Sequence, residues 1–132
     1  LAAMVVAWFW RWPDTWHGAF WPGAISLCIA AGLLAGAAVE FLRARTTIMP
    51  RRDPSALISG GIYRVTRNPI YLADALILSG LCLLWDALSG LVLVPAFMTV
   101  IATRFIRPEE DRLRARFGPA FETWAARTRR WL

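Results

Sequence analysis

Three runs of apolar residues, 24–42, 69–85 and 87–106, constrain this chain more than any other feature. Each approaches the roughly 20 residues a helix needs to cross about 30 Å of hydrocarbon. Charges inside them are few: Glu40 near the end of the first, Asp74 in the second and Arg104 near the end of the third. With 58% hydrophobic residues among 132, the chain carries more apolar side chain than a body this small can enclose, so the surplus is expected to face lipid. A shorter run, 1–10, reads as the remnant of a further helix, because no basic segment or small-residue cleavage site frames it as a signal peptide. The expected fold is all-α: a polytopic membrane helical bundle of about four spans, near 1–12, 23–43, 69–86 and 87–107, the first truncated. A cytoplasmic loop at 44–68 and a tail at 108–132 with an amphipathic cytoplasmic helix complete what reads as a single domain.

The arginines orient that bundle. The net charge is +6, and all 15 basic residues are Arg. Arg11 alone lies between the first two runs, six (Arg43, Arg45, Arg51, Arg52, Arg64 and Arg67) lie between the second and third, and eight lie from Arg104 onward. The short link after Trp85 has none. This asymmetry is the positive-inside pattern, and it places both termini and the middle loop in the cytoplasm; in a bacterium the membrane would be the inner one. A nucleic-acid partner would need its arginines clear of the membrane surface, so none is expected. Trp8, Trp10, Trp12, Trp16, Trp21 and Trp85 fall where an outer interfacial belt would lie.

Cys28 and Cys82 sit inside apolar runs and read as small buried hydrophobes. His17 has no neighbouring His or Cys, so no metal site is expected. Gly32 and Gly36, four residues apart, form a small-xxx-small face for close helix approach. Pro95 should kink the last apolar helix.

Two polar stretches hold the candidate chemistry. The first, residues 60–72, reads GGIYRVTRNPIYL. Gly60 and Gly61 permit positive φ and a reversal, Tyr63, Arg64 and Arg67 follow, and Asn68-Pro69 opens a helix with a favoured N-cap and a tolerated first-position proline. A helix N-terminus beside two arginines suits a carboxylate or phosphate; a plain capped membrane helix behind interfacial arginines fits these residues equally well. Asp74 is either a functional carboxylate at membrane depth or, the favoured reading, an interfacial partner of Arg67 or Arg64. The second stretch, residues 107–124, reads RPEEDRLRARFGPAFETW. Pro108 opens a helix with Glu109, Glu110 and Asp111 in its first turn, and Leu113, Phe117, Phe121 and Trp124 form an apolar stripe. The helix must bend or restart at Gly118-Pro119, and the tail should lie on the membrane surface or fold back over the loop.

Together the two stretches resemble the isoprenylcysteine carboxyl methyltransferase and phospholipid methyltransferase superfamily of integral membrane enzymes. The resemblance runs from about Thr46 to the C-terminus. It rests on a Gly-Tyr-Arg lead, an Arg-Asn-Pro-x-Tyr core and a Glu pair one helical hairpin later. It implies methyl transfer from S-adenosylmethionine to a lipidic or hydrophobic acceptor that enters from the bilayer, of the prenylcysteine carboxylate or phospholipid amine type. By position it implies Tyr63, Arg64, Arg67, Asn68, Pro69, Tyr71, Leu72, Glu109 and Glu110 as cofactor-binding residues, with Arg67 and Glu110 as the catalytic pair. Asn68 stands where the isoprenylcysteine branch has His, which departs from that acceptor. The residues are compatible with such a cofactor: arginine and a helix N-terminus suit its carboxylate, a Glu suits its ammonium or ribose, and an aromatic face suits its adenine or sulfonium. Methyl transfer needs alignment and exclusion of water, and an amine acceptor would add a base, for which Glu110 or Asp74 are nearest. An NADPH-dependent sterol-type reductase is the alternative enzyme, although the Glu pair would repel dinucleotide phosphates. A non-enzymatic membrane module is the third reading.

Overall fold

The computed structural model describes residues 19–45 and 56–132. The first expected span, the outer tryptophans up to Trp16, His17 and much of the middle loop lie outside those residues. Among the described residues all regular structure is helical: α1 (Phe20–Ala44), a 3₁₀ turn (Gly61–Arg64), α2 (Pro69–Leu84), a second 3₁₀ turn (Leu88–Val92), α3 (Leu93–Ile101), a π-helical turn (Ala102–Ile106), α4 (Arg107–Phe117) and α5 (Pro119–Arg127).

Helix α1 and the continuous helical rod Leu88–Phe117 are long and apolar enough to cross a membrane. Helix α2 is apolar but has 16 residues, about 24 Å at 1.5 Å per residue. Large apolar side chains point outward, Trp21 at 72% exposure and Val92 at 73% among them. Exposed apolar belts on helices of this length suit lipid.

Helices α1 and α2 run antiparallel, in a register set by small residues. A Cβ on Gly23 would stand 2.9 Å from the Gly80 carbonyl oxygen, and one on Gly80 would stand 3.0 Å from that of Gly23, so only glycine allows the approach. One turn further along, Ser26 Oγ donates to the Leu76 carbonyl at 2.8 Å. Beyond it Ala30 and Leu33 bury against Leu72 and Ala73, with Ile62, Leu76, Ile77 and Trp131 around them. The close crossing is therefore Gly23 with Gly80 and not the expected Gly32-Gly36 face. Gly32 faces open space, and Gly36 packs on Ile62. Cys82 is buried with Leu78 against Leu91, Leu93, Val94 and Phe97, but Cys28 is exposed, contrary to expectation, because it lies on the face of α1 turned away from α2.

Pro95 stands near the start of α3 and not in mid-helix: the 3₁₀ turn ends at Val92 and α3 starts at Leu93, so Pro95 is its third residue. The irregularity lies downstream, where the Arg107 amide bonds the Ala102 carbonyl five residues back. Pro108 explains its position: it cannot donate to Arg104, and a wider turn makes room for its ring. Gly118, at φ +52°, breaks α4 from α5, as the Gly-Pro pair predicts. Arg114 spans that break, pairing with Asp111 and with Glu122 and lying 5.4 Å over the Phe121 ring.

Candidate functional site

The polar site forms where α2 begins, α4 begins and the chain ends. Gly61 takes φ +54°, and its missing side chain makes room for the Glu40 carboxylate of α1, which a Cβ there would overlap. The reversal carries Tyr63 into a buried position, with its ring 6.2 Å from Phe41 and 6.4 Å from Trp124. Burial first, then the charges of Glu109 and Glu40, push its hydroxyl well above the usual tyrosine range. The Tyr63 carbonyl accepts Trp124 Nε1 at 2.9 Å, so α5 folds back over this turn, the second of the two placements expected for the tail.

Residues 128–131 continue from α5 as a strap across the start of α2. The Arg67 amide donates to the Arg129 carbonyl at 3.0 Å, and Asn68 Nδ2 and Thr66 Oγ1 donate to the Arg130 carbonyl at 2.9 and 3.3 Å. Asn68 occupies the N-cap position of α2, but its side chain makes no cap bond there, contrary to expectation, because it is turned toward the strap.

The Glu pair divides. Neighbouring side chains on a helix point about 100° apart, and the two carboxylates serve different partners. Glu109 Oε1 accepts the Tyr71 hydroxyl at 2.7 Å, and the Tyr71 ring lies 6.3 Å from that of Phe105. Glu110, only 8% exposed, accepts Arg130 Nε at 3.0 Å on Oε1 and Arg130 Nη2 at 2.8 Å on Oε2, while Arg67 Nη1 stands 3.3 Å from Oε1. The bidentate bond holds the Arg130 guanidinium above its ordinary range. Arg67 is left with a buried Nε that has no hydrogen-bond partner.

Of the residues named from sequence, Arg67, Asn68, Tyr71, Glu109 and Glu110 converge, with Tyr63 beside them and Pro69 buried beneath as the first residue of α2. Arg64 is exposed, and Leu72 belongs to the α1–α2 core. Asp74 does not pair with Arg67 or Arg64 among the described residues. It is exposed on α2, more than a turn past the helix start, and Arg67 turns to Glu110 instead. Arg130, Thr66, Trp124 and Glu40 are not among the site residues that the sequence names. Arg130 reads there as one more tail arginine, and no local spacing marks its reach of 20 residues back to Glu110.

Lipid-length apolar helices that gather a buried ion cluster at their ends define an integral membrane protein of the helical class. Residues 21–120 match the phospholipid methyltransferase family, and the chain belongs to that family. It is a membrane methyltransferase. The match agrees with the superfamily that the two motifs resemble. No curated protein and no solved structure matches the chain.

Proposed function

We propose that the chain moves a methyl group from S-adenosylmethionine to a lipidic acceptor, of the phospholipid amine or prenylcysteine carboxylate type, at the cytoplasmic face of the membrane. The observation that carries this reading is the Arg67 guanidinium, with its buried unpartnered Nε, set beside Glu110, whose helix neighbour Glu109 is held by Tyr71. A buried donor without an acceptor is costly and is a place for a ligand oxygen.

The residues present fit an amino-acid end with one carboxylate and one ammonium. Arg67 would hold the carboxylate, helped by the α2 amides, which take no side-chain cap. Glu109, oriented by Tyr71, would hold the ammonium or a ribose hydroxyl. Tyr71 and Phe105 supply aromatic faces beside the same point. When bound, the cofactor supplies an electrophilic methyl group on a sulfonium. The chain's part is to align that group with an acceptor and to exclude water; α5 and the strap cover the site on one side. An amine acceptor must also lose a proton. Glu110 is committed to two guanidinium groups and Glu109 to the cofactor, so Asp74, exposed on α2 one turn past Tyr71, is the carboxylate left to take that proton.

The test is calorimetric titration of the purified protein in nanodiscs with S-adenosylhomocysteine, followed by tritium transfer from labelled S-adenosylmethionine into a lipid extract. Saturable binding and labelled lipid are expected, and Arg67→Ala should abolish both. Stabilisation by NADPH without any response to S-adenosylhomocysteine would replace this reading with the reductase.

A further inference from the structure

Two guanidinium groups, Arg67 and Arg130, meet a single carboxylate, Glu110, so the cluster carries one uncompensated positive charge. The sharing is unequal. Arg130 takes both Glu110 oxygens at 3.0 and 2.8 Å, whereas Arg67 has one contact of 3.3 Å and an unpartnered Nε. A buried carboxylate without its main partner is strongly unfavourable and draws in the nearest cation. Here that cation is Arg67. If it paired fully with Glu110, it would be neutralised and its donors would be used up.

We propose that Arg130 is a positioning residue that satisfies Glu110 and thereby keeps Arg67 free to receive the carboxylate of the methyl donor. The inference rests on the cofactor reading above. Arg130 touches neither cofactor nor acceptor in this arrangement; it sets the charge of the cluster from outside. The strap is built to deliver it, because the Arg129 and Arg130 carbonyls are held by Arg67, Asn68 and Thr66, and Trp131 packs on the α1–α2 core. Those anchors do not involve the Arg130 side chain, so its removal leaves the strap in place.

The proposal separates two ligands that differ only at the amino-acid end. S-adenosylhomocysteine carries a carboxylate and an ammonium, whereas methylthioadenosine has the same adenosine and sulfur with neither. Dissociation constants for both are measured by calorimetry on the full chain and on Arg130→Ala in nanodiscs. Arg130→Ala should weaken S-adenosylhomocysteine about tenfold or more, the scale of one lost charge-assisted contact, and leave methylthioadenosine unchanged. Arg130→Lys, which keeps the charge but not the bidentate grip, should fall between the two; it also serves if the alanine variant does not fold. Equal weakening of both ligands would reduce Arg130 to a structural role and overturn the proposal, as would no change in either. If the unaltered protein binds neither ligand, the cofactor reading fails first, and this inference fails with it.

Discussion

The Tyr71 hydroxyl donates to Glu109 Oε1 across 2.7 Å, joining the first turn of α2 to the first turn of α4. The bond fixes one carboxylate of the Glu pair in the same region where Arg130 fixes the other, so neither is left to find its own orientation. Preorganisation of this kind matters most where a reaction depends on alignment.

Tyr71→Phe removes that bond and nothing else. Glu109 loses its oriented partner, and stability should fall by about 1.5–3 kcal/mol, the net value of one hydrogen bond to a charged group. Methyl transfer should fall further than stability explains, by roughly tenfold at saturating donor, since orientation is lost along with the bond. Thermal denaturation and initial rates on the same preparation separate the two effects. Unchanged rates would show that Tyr71 only braces the helices.

Gly80→Leu should destabilise the protein by about 1–3 kcal/mol or prevent insertion of the α1–α2 pair, because its Cβ would meet the Gly23 carbonyl oxygen at 3.0 Å and Leu27 besides. Gly32→Leu, into open space on the same helix pair, should be close to neutral. Denaturant melts of the two variants give the comparison, and equal losses would contradict the observed register.

At Gly61 two costs are superposed. Alanine there must adopt φ +54° and also displace the Glu40 carboxylate. Gly61→Ala should therefore be destabilising, and Gly61→Ala combined with Glu40→Ala should recover the steric part, leaving a backbone cost of about 1–2 kcal/mol. A double-mutant cycle on melting free energies measures the recovered portion. Full additivity would mean that Glu40 does not occupy the space a Cβ requires.

Raising the pH should weaken the fold through Tyr63. Its folded-state pKa lies above the ordinary value of 10.0, by burial first and then by Glu109 and Glu40. The folded state therefore favours the neutral phenol, and that stability is fully present below pH 10. It is lost as the pH rises above 10, where the unfolded chain ionises and the folded one does not. The chain has two tyrosines, so in Tyr71→Phe the remaining tyrosinate absorbance reports Tyr63 alone. A titration midpoint at or below 10 would contradict the burial. Tyr63→Phe should flatten the alkaline limb.

Much of the site was legible because its two halves are local patterns. A reversal at Gly61 and a helix opening at Pro69 each follow from residues a few positions apart, and the structure forms both, whereas the helix expected to open at Pro108 runs on without a break from the wide turn at Ala102–Ile106. What was not legible depends on rotation about helix axes and on distant partners. Gly32 and Gly36 carry the right spacing, but which face of α1 meets α2 is decided by Gly23 and Gly80, 57 positions apart in the numbering of one contact. Asn68 has the chemistry of an N-cap, yet its amide reaches a carbonyl 62 residues away. Pro95 breaks a helix only if the helix has already begun several residues earlier, and the 3₁₀ turn to Val92 delays that start. Asp74 and Arg67 are close in sequence, but a buried glutamate on another helix competes better for the arginine.

The wide turn at Ala102–Ile106 has a further consequence. One surplus residue in a regular α-helix would shift the phase of everything after it by about 100°, and the wide turn takes up that surplus locally. Deleting a single residue there would leave a more regular α-helix in which the glutamates facing Tyr71 and Arg130 keep their bearing. A residue added elsewhere in the rod, with no bulge to absorb it, would swing both out of alignment, so the chain could still enter the bilayer with its headgear aimed the wrong way.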